Sequence, residues 1–291
     1  MRTTSFTDIN ARLALYKSFV NSPFNSLKQD SYFSSYEPLL GAFVDRPVTV
    51  VEVGVLHGGS LFMWRAFLGP KARIIGIDLN PAAEKWRDSG FEIFIGSQSD
   101  PDFWRSVFAE IGSVDILIDD GGHTNLQQIV TVCEAVPHIN DGGVLVVEDV
   151  GTSYMARFGN PSPLNFMSFA KRVSDCVNSR CFTEPADGSL ESQIASVHFY
   201  ESMVAFHIDR RRCRMSTTLH NDRPHSGEVD VRAAAQAAAS RWLIAGPLAR
   251  VLPGGIRARI RRRWVQLRSL LSGETRQVRR RFPCPPRMWS R

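Results

Sequence analysis

The stretch Val50-Val-Glu-Val-Gly-Val-Leu-His-Gly-Gly-Ser-Leu-Phe-Met-Trp64 decides the fold. It begins as a β-branched apolar run, turns through glycines and continues into an apolar segment of helical type. Glycine lets the backbone turn tightly and approach a ligand closely, and the helix that follows offers unpaired N–H groups in its first turn. The pattern therefore predicts a strand, a ligand-binding turn and a helix.

Short apolar runs continue to alternate with helical stretches along the rest of this region. We predict strands over residues 48–53, 73–77, 92–95, 114–118 and 144–148. A last extended run over 196–206 is either an antiparallel hairpin or one bulged strand. This alternation is typical of βαβ units, so the predicted class is α/β: a Rossmann-like, mostly parallel sheet with helices on both faces and an antiparallel edge.

Charge divides the chain into an acidic body and a basic tail. The 291 residues have a net charge of +6, but residues 250–291 contain thirteen arginines and one acid, so the tail carries +12 and the rest −6. Such a block indicates an interaction tail, not specific nucleic-acid binding by the whole fold. We predict an N-terminal helical cap over 1–46, an α/β domain over 47–209 and a basic extension over 210–291 that is partly helical or disordered.

Apolar residues recur at helical spacing among the arginines of the tail, at Ile256, Ile260, Trp264, Leu267 and Leu271. A basic amphipathic helix of this type favours peripheral contact with an anionic membrane surface. A solvated tail and a tail folded against the acidic body are the alternatives. Because the sequence has neither a spanning apolar run nor a secretory signal, we expect a cytoplasmic protein, with peripheral contact at the inner membrane face.

Residues at the ends of the first three predicted strands suit a bound nucleoside. The spacing of Gly54 and Gly58 does not fit the dinucleotide frame, because Leu56 stands where the second glycine should be. S-adenosylmethionine (SAM) matches better. Asp78 follows Gly54 by twenty-four residues, close to the interval at which an acid binds ribose hydroxyls. Gln98 can offer an amide to adenine, although its loop could instead only cap the next helix.

Acidic pairs end the fourth and fifth predicted strands, as Asp119-Asp120 and Glu148-Asp149. Ligands of open α/β sheets bind at the carboxyl ends of the strands, so both pairs should face one crevice. They would repel each other unless a cation or shared protons relieved the repulsion, and oxygen ligands favour Mg²⁺ or a similar hard ion. His123 is close enough in sequence to act there as a general base.

These motifs, in this order, resemble the metal-dependent sugar O-methyltransferases of the mycinamicin and macrocin type, with looser similarity to cephalosporin hydroxylase-like sequences. The similarity covers roughly residues 30–208. Its matching stretches are 52–64, 76–78, 98–100, 118–123, 142–149 with 152–154, and 198–203. The resemblance implies a class I, Rossmann-like SAM methyltransferase fold. An N-terminal domain found in the mycinamicin-type enzymes has no match here, and Asp30-Ser31 stand where a histidine is usual.

The resemblance also implies roles for individual residues. Mg²⁺ or a similar divalent cation would be bound by Asp120, Glu148 and Asp149, with His123 as the catalytic base. SAM would be bound by Glu52, Gly54, Gly58, Ser60, Asp78, Gln98 and Asp119. Adjacent strand-end residues point to opposite faces, so we assign the metal to Asp120 and not to Asp119.

The sequence therefore predicts a SAM-dependent O-methyltransferase. We expect Mg²⁺ assistance, a His123 base and a small-molecule or glycolipid acceptor, with methyl transfer to a hydroxyl of a sugar or glycosylated natural product. The alternatives are an aryl or polyketide hydroxyl as the acceptor, a SAM-binding protein that has lost catalysis, and a Rossmann oxidoreductase, which the missing dinucleotide frame disfavours. Self-association into a homo-oligomer is left open.

Overall fold

A computed structural model describes residues 9–159 and 163–224 of the chain. The strands of this part are β1 Thr49–Val53, β2 Arg73–Asp78, β3 Glu92–Ile95, β4 Val114–Asp119, β5 Ile139–Val147, β6 Ile194–Tyr200 and β7 Met203–Ile208. They form one sheet in the order β3-β2-β1-β4-β5-β7-β6. Strands β1 to β5 pair in parallel, while β7 pairs antiparallel with both β5 and β6. The predicted α/β class with an antiparallel edge is confirmed.

Helices cover both faces of this sheet. Their bounds are α1 Ala14–Val20, α2 Tyr32–Leu40, α3 Gly59–Leu68, α4 Pro101–Ile111, α5 Asn125–Ala135 and α6 Phe166–Ser179. Side chains of α1, α2 and α3 pack in one core, and those of α4, α5 and α6 pack in the other. Alternate residues of each strand supply the two cores, with Val50 in the first and Val51 in the second.

Local sequence explains where helices α4 and α5 begin. Asp100 accepts the backbone N–H of Asp102, and Pro101 occupies the first position of α4. Thr124 and Gln127 form a capping box at the start of α5. Both helices therefore begin immediately after the loops that follow β3 and β4. These fixed helix starts hold the two loops at the carboxyl edge of the sheet.

The last extended run is a hairpin and not one bulged strand, since β6 and β7 are joined at Glu201-Ser202. Strand β5 begins at Ile139, five residues before its predicted start. Gly142 and Gly143 interrupt the apolar pattern of this strand, so the sequence did not indicate its first half. Helices α1 and α2 contribute to the core beside β1. The compact unit that contains these elements extends to Thr217. The domain boundaries at residues 46 and 209 stay predictions.

The predicted basic helix of the tail lies outside the described residues. Among the residues that the structure does describe, no helix is both long enough and apolar enough to span a membrane. Membrane contact through residues 250–291 therefore stays a prediction.

Gly54 ends β1 in a backbone conformation that fixes the next loop against β4. Its φ is +91°, and a side-chain carbon at this position would lie 2.1 Å from the carbonyl oxygen of Asp120. Only glycine combines this left-handed turn with so close an approach of two backbones. The loops after β1 and β4 are therefore in direct contact, which places their functional residues side by side.

We predict that Gly54→Ala lowers the free energy of unfolding by at least about 2 kcal/mol, because it adds left-handed strain to a clash with backbone. Gly41→Ala is the matched control: Gly41 has a helical φ of −57° and no atom within 4 Å of the added carbon. We expect the control to change stability by less than about 1 kcal/mol. Urea unfolding followed by circular dichroism measures both, and equal midpoints for the two variants would contradict the prediction.

Candidate active site

A cleft of about 670 Å³ opens at the carboxyl ends of β1, β2 and β4. Four of the residues predicted to bind the cofactor line it: Gly54, Ser60, Asp78 and Gln98. So do three residues predicted for the metal and the base: Asp120, His123 and Asp149. The structure therefore brings the nucleoside-type residues and the acidic residues to one place, as the strand-end argument predicts.

Asp78 holds the loop after β1 in position. One of its carboxylate oxygens accepts the backbone N–H groups of Val55 and Leu56 at 2.9 and 3.0 Å, and the other accepts that of Asn80 at 2.8 Å. A carboxylate has about four acceptor sites, so these three bonds leave capacity for a hydroxyl of a ligand. Asp78 can thus organise the loop and bind ribose at the same time.

Glu52 and Gly58 lie behind the residues that line the cleft. Glu52 is fully buried and accepts the hydroxyl of Ser60 at 2.6 Å and the indole N–H of Trp64 at 3.0 Å. Burial raises the pKa of the Glu52 carboxyl. Gly58 has a left-handed backbone and packs against the ring of Trp86. Both residues support the cleft, and their direct contact with SAM stays a prediction.

Asp119 and Gln98 form a buried polar pair at the cleft, of which only Gln98 lines the cleft itself. The Gln98 amide donates to Asp119 at 2.8 Å, and its carbonyl oxygen accepts the backbone N–H of Gly122 at 2.8 Å. Burial raises the pKa of Asp119. Gln98 therefore joins the loops after β3 and β4. A contact between Gln98 and adenine stays a prediction, and so does a contact between Asp119 and SAM.

Asp120, His123 and Asp149 form a group whose possible ligand atoms lie within 4.8 Å of one another. His123 Nε2 is 3.6 Å from one Asp149 oxygen, whereas its Nδ1 is buried without a hydrogen-bond partner among the described residues. His123 and Asp149 both have left-handed backbones, with φ of 58° and 53°. Such conformations cost about 1–3 kcal/mol each and are concentrated at functional sites.

Lys28 was not found by sequence reasoning, yet it lies at the centre of the acidic residues. Its ammonium is 2.7 Å from Asp120, 2.8 Å from Glu148 and 3.7 Å from Glu52, and its side chain is 1% exposed. Glu148 also accepts the hydroxyl of Tyr36. Burial alone would lower the pKa of Lys28, but the three carboxylates raise it well above its ordinary value. Lys28 is therefore charged at neutral pH.

Helix α2 and the residues before it complete the environment of Asp149. The Tyr32 hydroxyl and the Gln29 amide each donate to the same Asp149 oxygen at 2.7 Å. Tyr32 and Tyr36 lie four residues apart on α2. This spacing was the sequence signal that could have placed both side chains on one face of the helix. No comparable pattern marks Lys28.

The donor set fits a divalent cation. Three carboxylates, those of Glu52, Asp120 and Glu148, pair with the Lys28 ammonium, and a fourth, that of Asp149, lies 3.6 Å from His123, so carboxylates outnumber ammonium groups among the described ion pairs of the site. Hard oxygen donors with excess negative charge are what Mg²⁺ prefers. Glu148 is not part of the close group of possible ligands, and its predicted role as a third ligand stays a prediction.

Comparison with known proteins identifies the fold. Residues 51–150 match a family model described as a methyltransferase domain. A tetracenomycin-C rhamnosyl 2'-O-methyltransferase from Streptomyces olivaceus is 30% identical over 187 residues, which cover 60% of this chain and 49% of that protein. Mycinamicin VI 2''-O-methyltransferase from Micromonospora griseorubida is 29% identical, with 61% and 46% covered. The chain spans about half the length of these curated relatives.

A solved structure agrees with these matches. MycE, a methyltransferase from the mycinamycin biosynthetic pathway in complex with Mg and SAH, is 25% identical with a TM-score of 0.57. The alignment covers 67% of this chain and 54% of that one. The Rossmann-like methyltransferase fold and the resemblance drawn from the motifs are both confirmed: residues 51–150 lie in a methyltransferase domain similar to those of sugar O-methyltransferases.

Proposed function

We propose that the protein transfers the methyl group of SAM to a hydroxyl of a sugar on a small-molecule acceptor, with Mg²⁺ or a similar divalent cation bound nearby. One observation carries this proposal: a single cleft joins the loop held by Asp78 to the group of Asp120, His123 and Asp149. The relatives support the choice of acceptor, because their names specify methyl transfer to positions of sugar-bearing natural products.

Asp120 and Asp149 would hold the cation at the edge of the cleft. Bound Mg²⁺ would offset their negative charge and make a neighbouring hydroxyl more acidic. Because the ligand atoms and the imidazole of His123 lie within 4.8 Å of one another, an acceptor hydroxyl beside the carboxylates also lies within reach of His123. The chain thus orients the acceptor and its base together.

His123 would accept the proton of the acceptor hydroxyl at Nε2. The hydroxyl oxygen forms a bond to the methyl carbon while the carbon–sulfur bond of SAM breaks, and S-adenosylhomocysteine leaves as a neutral thioether. The carboxylate of Asp149, 3.6 Å from His123 Nε2, stabilises the imidazolium that results. Most of the rate gain comes from holding the acceptor oxygen and the methyl carbon in line at contact distance.

Three further features rest on the sequence of the tail and of the N-terminus and stay predictions. They are a glycolipid acceptor, contact with a membrane through residues 250–291, and a cytoplasmic location. The loss of catalysis is disfavoured, because the metal and base positions lie together in the cleft.

Titration of SAM into EDTA-treated protein, repeated with Mg²⁺, tests the cofactor site. We predict micromolar binding and a loss of at least about 30-fold in Asp78→Ala, because charge-assisted hydrogen bonds contribute about 1.5–3 kcal/mol each. Asp88→Ala, at an exposed position that does not line the cleft, should bind SAM as the wild type does. An absence of heat with the wild type, with and without Mg²⁺, would refute the proposed function.

His123→Ala tests the base. We predict that turnover with radiolabelled SAM and a panel of glycosylated acceptors falls about 10²–10⁴-fold, since general bases contribute rate factors of this size. SAM affinity should stay within about threefold of the wild type, because the imidazole acts on the acceptor. His198→Ala, on an exposed part of β6, is the control and should not change turnover. Equal losses of affinity and turnover would contradict the role of His123 as base.

A further inference from the structure

The hydroxyl of Thr152 connects the two loops that carry the proposed base and one proposed metal ligand. It donates to the backbone oxygen of His123 at 2.9 Å and to that of Asp149 at 2.8 Å, so one proton is shared between two carbonyl oxygens. His123 lies in the loop after β4, and Asp149 lies in the segment after β5. Thr152 therefore joins two loops that α5 and β5 separate along the chain.

Both of the joined residues have strained backbones. His123 has a φ of 58° and Asp149 a φ of 53°, in the left-handed region that residues other than glycine seldom adopt. Such a conformation persists only where the surrounding contacts over-determine it. A hydrogen bond to the carbonyl oxygen of each strained residue supplies such a contact, and it fixes one loop relative to the other.

Other hydrogen bonds hold each of these loops to a different part of the chain. In the loop after β4, the backbone N–H of Gly122 donates to the side chain of Gln98 at 2.8 Å. In the segment after β5, the backbone N–H of Asp149 donates to the hydroxyl of Tyr32 at 2.9 Å. Neither of these contacts connects the two loops to each other, whereas the hydroxyl of Thr152 does.

The side chains of His123 and Asp149 do not make this connection themselves. Nε2 of His123 is 3.6 Å from the nearer Asp149 oxygen, which is too long for a hydrogen bond. Thr152 is 7% exposed and does not line the cleft. It therefore acts from behind the site, where it would touch neither the acceptor nor SAM.

We propose that Thr152 is a positioning residue that holds the imidazole of His123 and the carboxylate of Asp149 in one fixed relative position. Its hydroxyl sets the separation of the two loops, and so the distance between the base and a ligand of the cation. This inference rests on the proposed function, in which Asp149 binds the cation.

This role is separable from the binding of SAM. Asp78 holds the loop after β1 through the backbone N–H groups of Val55 and Leu56, and these bonds do not involve Thr152. Loss of the Thr152 hydroxyl should therefore weaken the binding of the cation and leave the affinity for SAM unchanged. A substitution that only loosened the fold would weaken both.

The test compares Thr152→Val with Thr152→Ser in the full chain. The valine keeps the branched shape and removes the hydroxyl, whereas the serine keeps the hydroxyl. Mn²⁺ binding is measured by electron paramagnetic resonance and SAM binding by calorimetry. We expect the Mn²⁺ dissociation constant of Thr152→Val to rise at least about fivefold, because groups that orient a metal ligand affect metal affinity by about 10–100-fold. Its SAM dissociation constant should stay within about twofold of the wild type.

Two further proteins complete the comparison. Thr152→Ser should bind Mn²⁺ within about twofold of the wild type, because it retains the donor. Thr49→Val makes the same chemical change at the amino end of β1, outside the cleft, and should change neither constant.

Hydrogen exchange followed by mass spectrometry tests the connection without any ligand. Peptides that contain residues 121–124 and 149–152 should both exchange at least about threefold faster in Thr152→Val than in Thr152→Ser. Peptides from β2 should exchange equally in the two variants. Unchanged exchange in either loop overturns the inference.

The binding outcomes separate this inference from the proposed function. Wild-type Mn²⁺ affinity in Thr152→Val overturns the inference, and so does an equal loss of Mn²⁺ and SAM affinity. Thr152→Ser provides an independent test, since a fivefold loss of Mn²⁺ affinity in that variant would show that the hydroxyl is not what matters. In each of these cases a wild type that binds both ligands leaves the proposed function standing. A wild type that does not bind Mn²⁺ overturns the inference together with the proposed metal site.

Discussion

The excess of negative charge at one edge of the sheet is the constraint on which the site depends. Parallel strands carry the carboxylates of Glu52, Asp120, Glu148 and Asp149 to the same edge, where the buried ammonium of Lys28 pairs with the first three of them. Buried charges without partners are costly, so the surrounding chain must supply donors. Hydroxyl groups of α2 and α3, the indole of Trp64 and the amide of Gln29 donate hydrogen bonds to these carboxylates. These donors determine which carboxylate oxygens remain open to the cleft.

The N-terminal helices are part of the site because of this charge. Tyr32 and Tyr36 are neutral donors at physiological pH, since burial and the nearby carboxylates raise the pKa of both phenols well above the ordinary value. Each phenol can therefore stabilise an ionised carboxylate without adding charge of its own. A region predicted as a cap is in this way bonded directly to Glu148 and Asp149, which follow β5.

Strand ends could be read from the sequence because alternation and glycine spacing are local patterns. Gly54, Asp78 and the acidic pairs were found by that reasoning, and the structure brings Gly54, Asp78 and one acid of each pair to one cleft. Lys28 could not be found, because its contacts with Asp120 and Glu148 span 92 and 120 residues and leave no periodic trace. Charge compensation between distant segments is a property of the folded chain alone.

The alternation of side chains along a strand explains the first of the two acidic pairs. It separates Asp119, which is buried against Gln98, from Asp120, which lines the cleft. Glu148 and Asp149 follow the end of β5, and the left-handed backbone of Asp149, with a φ of 53°, separates their side chains, which meet Lys28 and His123 respectively. The family resemblance groups Glu148 with Asp149 as metal ligands, and this assignment stays a prediction.

Residues 25–28 have a thermodynamic consequence for the two ligands that we propose for the site. Residues 25–27 line the cleft, and Lys28 contacts the acidic edge. Any effect of a bound cation on the position of Lys28 therefore reaches the cofactor through one covalent segment. Linkage requires that the factor by which the cation changes SAM affinity equals the factor by which SAM changes cation affinity. Residues 25–28 would thus provide a physical route by which the proposed methyl donor and metal each influence the occupancy of the other.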